Sequence, residues 1–105
     1  NPHYQTGWGG ELGLWNSENG KPTTLERVVE PVFNRAILFE TTTGWHGLEV
    51  PNKFPEGESR NSLAIYYLIE AEVNADPRPR ALFVPSEVQK GDESIEKFCV
   101  ERSKL

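Results

Sequence analysis

The stretch FNRAILFETTTGWHGLEV, residues 33–50, carries two predicted strands separated by a glycine. The β-branched and aromatic residues of 32–43 predict a long strand, which Gly44 ends. A second, shorter strand is predicted over 46–50. Pro51 stops it, because proline has no N–H to donate to a sheet ladder. This stretch indicates a fold built on short β-strands.

Three further strands are predicted on the two sides of this stretch. Upstream, residues 11–15 and 23–30 show alternating apolar positions, and Asn19-Gly20 between them is a strong hairpin signal. Downstream, residues 62–71 are rich in β-branched and aromatic side chains. Five short strands at this spacing suggest a β-sandwich or a jelly-roll barrel, although a closed jelly roll needs about eight strands.

The pattern changes to a helical one after Pro85. Ile95, Phe98, Cys99 and Arg102 recur at helical spacing, and Asp92 stands where an N-cap is expected. A Pro-rich linker, 76–80, precedes this helix.

Length and charge exclude several classes of function. The chain has 105 residues and a net charge of −5, and its Lys and Arg residues are scattered, which argues against a nucleic-acid surface. Its single cysteine, Cys99, excludes an intrachain disulfide and favours a reducing cytoplasm. No apolar run reaches membrane-spanning length, so no membrane association is predicted. The opening at Asn1, without an initiator Met, suggests a piece of a longer protein.

Four motifs then narrow the function. They are GGELGLW at 9–15, FNRAILFET at 33–41, Trp45-His46-Gly47, and RNSLAIYY at 60–67. In this order they resemble the C-terminal half of an iron(II)- and 2-oxoglutarate-dependent dioxygenase of the prolyl-4-hydroxylase-like group. The resemblance implies an all-β fold, a partial double-stranded β-helix (jelly roll, cupin-like) with a C-terminal helix. Residues 1–75 would form the half jelly-roll core, and 76–105 a linker and a helix packed on the same domain.

The resemblance also implies an activity and its site. Such an oxidoreductase couples decarboxylation of 2-oxoglutarate by dioxygen to hydroxylation of a small-molecule or protein substrate, with prolyl residues as one candidate. Fe(II) is the implied cofactor and ascorbate a further reductant. His46 would be an iron ligand, and Arg60 with Ser62 would anchor 2-oxoglutarate; no residue is assigned a further catalytic role. An arginine suits this task because its planar fork binds a carboxylate bidentately, and residues two apart on a strand share a face.

One departure from the family is large. Its other two iron ligands come as His-x-Asp or His-x-Glu on an earlier strand, to complete a two-histidine, one-carboxylate triad. Here the only other histidine, His3, is followed by Tyr4 and Gln5. We therefore expect this chain alone to bind iron weakly and not to turn over.

Two other classes of function remain open. The chain is alternatively a non-catalytic β-sandwich interaction or assembly module that lacks the metal site, or a cupin-like isomerase or sugar-binding jelly roll. His46 also reads as an ordinary strand-start histidine, and Arg60 as a surface arginine. A half jelly roll exposes apolar inner faces and a strand edge, so a homodimer is expected.

Overall fold

A computed structural model describes residues 1–68, 70, 73 and 81–104. Three antiparallel strands form one sheet in the order β2-β1-β3. The elements, in chain order, are β1 (Leu12–Glu18), β2 (Lys21–Val29), β3 (Gly44–Leu48), a 3-10 turn (Glu87–Gln89) and α1 (Glu93–Arg102). The antiparallel sheet and the C-terminal helix agree with the coarse all-β prediction.

The hairpin between β1 and β2 forms where the sequence predicts it. Asn19 and Gly20 both take positive φ, 52° and 71°. This is the backbone of a type I′ turn, whose twist matches that of the two strands and which asparagine and glycine tolerate best. Leu14 pairs with Arg27, and the next residue, Trp15, pairs with Leu25. Glu26 is skipped in this register and forms a β-bulge.

The two faces of the sheet differ in what they bury. On one face the ring of Trp15 lies over Gly13, where an added Cβ would be 2.4 Å from the ring. Trp45, the cross-strand neighbour of Trp15, is 8% exposed and is the one buried apolar side chain in the described part of the chain. Its Nε1 donates to Ser17 Oγ at 3.0 Å. This tryptophan face is therefore the core.

The opposite face carries the second set of alternating residues. The antiparallel register places Leu12 opposite Leu48 and Leu14 opposite His46. Because side chains alternate along a strand, these four residues lie on the face away from Trp45. His46 is thus separated from the core tryptophan by the sheet itself.

Two of the five predicted strands are wrong. Residues 32–43 form no strand, and neither do the described residues of 62–71. Most of their apolar side chains are exposed, with Leu38 at 90% and Leu63 at 86%. β-propensity alone does not make a strand, because its ladder hydrogen bonds need a neighbouring strand. The described residues therefore do not close into a jelly roll, and the linker predicted at 76–80 lies outside them.

The C-terminal helix forms as predicted but is weakly held. The Asp92 carboxylate accepts from the backbone N–H groups of Ser94 and Ile95 at 3.0 and 3.3 Å. No residue of α1 is buried. The Arg102 guanidinium lies 5.3 Å from the centroid of the Phe83 ring, and Ser103 Oγ accepts from the Phe83 N–H. None of the helices in the described part of the chain has the length and apolar composition that crossing a bilayer requires.

We expect the cap to control whether α1 forms. Hydrogen bonds from the Ser94 side chain and from the backbone of Ile95 and Ser94 hold the pKa of Asp92 below its usual range. A ten-residue helix without buried contacts is marginal, so Asp92→Ala should remove much of the helical signal of residues 93–102.

The stability that the Asp92 cap gives to α1 should fall as the pH is lowered. The charged carboxylate of Asp92 makes these hydrogen bonds. The stabilisation of α1 that they provide is therefore fully present above the pKa of Asp92 in the unfolded state, about 3.9. It is lost as pH falls through the lowered folded-state pKa. Amide NMR of α1 from neutral to acidic pH checks this, with Asp92→Asn as the control, which caps without titrating. A helix that melts at the same pH in Asp92→Asn would contradict the assignment.

Candidate functional site

A cleft of about 1240 Å³ opens on the His46 face of the sheet. Leu12, Val29, His46 and Leu48 from the sheet line it. Two extended segments, 35–42 and 60–68, complete its lining. Most of this lining is apolar, and its basic and acidic groups are Arg35, His46 and Arg60 together with the carboxyls of Glu30, Glu40 and Glu70. A small molecule that combines charged groups with an apolar portion suits such a lining.

His46 lies in the middle of β3 and is exposed toward this cleft. Its ring is 5.0 Å, centroid to centroid, from the ring of Phe39, at an interplanar angle of 57°. Phe39 belongs to the segment predicted as a core strand, and here it orients the histidine instead. The Phe39 ring and the place of His46 in β3 both help to position the imidazole.

Arg60 is half-buried and held on two sides. Its Nε donates to the backbone oxygen of Gly10 at 2.8 Å, and its Nη1 donates to Ser62 Oγ at 3.4 Å. Arg60 and Ser62 are thus in contact, although the backbone there is not part of a sheet. A guanidinium has five N–H donors, so several remain available to a ligand in the cleft.

Gly9 and Gly10 make this placement of Arg60 possible. Both have positive φ, 75° and 81°. A Cβ on Gly9 would meet the Pro51 oxygen at 2.0 Å, and one on Gly10 would be 2.9 Å from Arg60 Cδ. The backbone of 8–11 therefore packs directly against 49–53, with Gly10 N–H donating to Val50 O at 2.9 Å. The absence of a Cβ at both glycines permits this close backbone approach.

The N-terminal loop is fastened next to Arg60. Trp8 packs edge-on against Phe54, with ring centroids 5.5 Å apart, and Tyr4 contacts both rings. Glu58 accepts from Asn1 Nδ2 at 2.7 Å and lies 3.0 Å from His3 Nδ1. The hydrogen bond from Asn1 and, to a smaller extent, the one with His3 hold the pKa of the Glu58 carboxyl below its usual range. His3 is thus a loop residue engaged with Glu58.

Acidic side chains surround Tyr4 on the same side of the molecule. Desolvation, followed by the charges of Glu11 and Glu30, raises the pKa of the Tyr4 hydroxyl, which lies 3.5 Å from Glu30 Oε1. Glu11 Oε2 is buried and has no hydrogen-bond partner among the described residues. This environment keeps the Tyr4 phenol protonated.

The described residues do not by themselves fit an iron site. Among residues 1–68, 70, 73 and 81–104, no group of three or more His, Cys, Asp or Glu side chains is arranged to hold a metal ion. Iron(II) of the facial-triad class needs two histidines and a carboxylate. The cleft contains one histidine, His46.

The structure brings the three predicted site residues to one cleft. His46, Arg60 and Ser62 all line it. Two contacts were missed from the sequence, namely Phe39 against His46 and the Gly10 carbonyl that fixes Arg60. The Gly9-Gly10 pair was a usable signal for the second contact, since adjacent glycines mark a close backbone approach. The spacing of Phe39 and His46 in the sequence gives no sign of the contact between their rings.

Known proteins add no further constraint on this cleft. No protein-family model, curated protein or solved structure is significantly similar to the chain.

Proposed function

We propose that this chain is the 2-oxoglutarate-binding half of an iron(II)-dependent dioxygenase domain of the prolyl-4-hydroxylase-like group. The observation that carries the proposal is the meeting of His46, Arg60 and Ser62 on one cleft, with Arg60 Nη1 3.4 Å from Ser62 Oγ. An arginine and an imidazole that line one cleft suit a dicarboxylate whose far carboxylate would bind the arginine and whose other end would bind a metal ion held in part by the imidazole.

Arg60 and Ser62 are the proposed grip on the far carboxylate of 2-oxoglutarate. The hydrogen bond to Gly10 O fixes the guanidinium, which reduces the side-chain entropy lost when the carboxylate binds. The available N–H groups and the Ser62 hydroxyl then donate to the two carboxylate oxygens.

His46 is the proposed contribution of this chain to the metal site. Its single imidazole does not make an iron site, so the remaining histidine and carboxylate would come from residues beyond those described. We propose that the same additional residues complete the jelly roll, with dioxygen and the hydroxylated molecule, a small molecule or a prolyl peptide, meeting at this cleft. The free thiol of Cys99 suits a reducing cytoplasm, where ascorbate would also support an iron(II) enzyme.

A second candidate is a non-catalytic interaction module. It is favoured by the lack of a metal-binding group in the described part of the chain and by the exposed apolar segments. A cupin-like isomerase or sugar-binding module shares the architecture but has no need of Arg60 beside Ser62. Binding of 2-oxoglutarate at Arg60 separates these candidates.

The test is a titration of the metal-free chain with 2-oxoglutarate, followed by NMR. We expect the Arg60 side-chain N–H resonance and the amides around His46 and Ser62 to shift, because the carboxylate docks there. Arg102 on α1 is the matched control, an exposed arginine outside the cleft, and its resonance should stay in place. Equal shifts at both arginines would point to non-specific ion pairing and against the proposal.

The same sample also tests the metal assignment. Supplied with iron(II), ascorbate and 2-oxoglutarate, this chain should release succinate at the background rate, because it provides one ligand of three. Release at an enzymatic rate would show that the metal site has been misplaced.

A further inference from the structure

Residues 61–68, the apolar segment, form the most exposed hydrophobic surface of the described chain. Leu63, Tyr67 and Leu68 are 86, 81 and 93% exposed. The segment contains no charged residue and no proline, although the chain as a whole carries a net charge of −5. Contiguous exposed apolar residues of this kind mark interaction surfaces.

The backbone of this segment also lies outside the sheet that the described residues form. No backbone hydrogen bond joins residues 63–68 to any other residue that the structure describes. Strand-forming residues with free N–H and C=O groups are a template for a further strand. The partner that fits must therefore be extended and must tolerate apolar side chains on both of its faces.

A second copy of the same segment meets these requirements. In an antiparallel pair related by a two-fold axis, Ile65 at the centre of 62–68 lies opposite its own copy, and Leu63 lies opposite Tyr67. Aliphatic and aromatic side chains then face each other across the pair, which is a favourable combination. Because the segment is neutral, no like charges are brought together, which would not hold for most of this acidic chain.

The exposed area is adequate for such an interface. Tyr66 and Tyr67, at 71 and 81% exposed, are side chains of a class that buries about 150–250 Å² each. With Leu63, Ile65 and Leu68 they supply a large share of the roughly 800 Å² per partner that a stable interface buries.

We propose that two copies of this chain pair through residues 62–68, antiparallel and centred on Ile65. The pairing covers the apolar segment and with it one side of the cleft that holds His46 and Arg60. It goes beyond the proposed function and does not depend on it, since the pairing is centred on Ile65 and uses neither Arg60 nor a metal; of the proposed anchor residues only Ser62, at the end of the paired segment, lies within it.

Sedimentation velocity from micromolar to near-millimolar concentration tests the pairing. We expect a concentration-dependent dimer. Ile65→Lys places two like charges opposite each other in an apolar interface, so it should weaken the dimer at least tenfold. Val88→Lys is the matched control, because Val88 is 85% exposed and belongs to the 3-10 turn. Amide NMR of β1–β3 verifies that both variants fold.

Cross-linking tests the register even if Ile65→Lys does not fold. In a Cys99→Ser background, Ile65→Cys should give a disulfide-linked dimer under mild oxidation, whereas Val88→Cys should give much less. A wild-type chain that stays monomeric throughout, equal weakening by the two lysine variants, or equal cross-linking by the two cysteine variants would overturn the proposal. Arg60→Ala should leave the dimer intact while losing 2-oxoglutarate, which separates a failure here from a failure of the proposed function.

Discussion

Trp45→Ala is expected to unfold the sheet. Trp45 is the one buried apolar side chain in the described part of the chain, at 8% exposed, and it lies beside Trp15 across β1 and β3. Truncating a buried tryptophan costs about 3–5 kcal/mol through lost burial and the cavity left behind. Small domains are stable by only about 5–15 kcal/mol, and a core this thin places the chain at the low end.

Urea unfolding monitored by far-UV circular dichroism measures this effect. Trp45→Ala should have little or no folded baseline. Trp45→Phe keeps a ring but loses the donor to Ser17 Oγ, so the free energy of unfolding should fall by about 1 kcal/mol from the hydrogen bond alone. Val88→Ala, at an 85% exposed position, should change it by less than about 0.5 kcal/mol. If Trp45→Ala were as stable as Val88→Ala, the tryptophan face would not be the core.

Arg60→Ala is expected to lower the affinity for 2-oxoglutarate by about one to two orders of magnitude. The reason is the loss of charge-assisted hydrogen bonds to the far carboxylate, worth roughly 1.5–3 kcal/mol. Ser62→Ala should show a milder form of the same defect, because it removes one neutral donor. Arg60→Lys should recover only part of the affinity, since an ammonium does not reproduce the planar fork.

Calorimetric or NMR titration of the metal-free variants separates anchoring from metal binding. His46→Ala should change metal-free affinity for 2-oxoglutarate little, because the imidazole is assigned to the metal. Arg60→Gln retains a donor for Gly10 O and so distinguishes loss of the charge from loss of that structural contact. The assignment of Arg60 as the anchor would fail if His46→Ala weakened 2-oxoglutarate binding as much as Arg60→Ala did.

The sequence by itself determined the locally encoded elements. The Asn19-Gly20 turn requires two residues that accept positive φ, and the sequence places both between two alternating runs. The helix over 93–102 follows from its cap and its period. Arg60 and Ser62 are close because residues two apart in an extended chain point to one side. Each of these features depends on neighbours in sequence.

Only the tertiary structure decided which extended segments pair. Residues 33–41 and 61–68 have about the same content of β-branched and aromatic residues as 21–29, yet only 21–29 lies in the sheet. A ladder needs a partner brought from elsewhere in the chain, and β1 takes β2 on one side and β3 on the other. The unpaired segments line the cleft instead. Phe39 thereby reaches His46, and Gly10 O reaches Arg60 across 50 positions. Both contacts depend on packing: the glycine pair indicates a close backbone approach but does not say which residue approaches it.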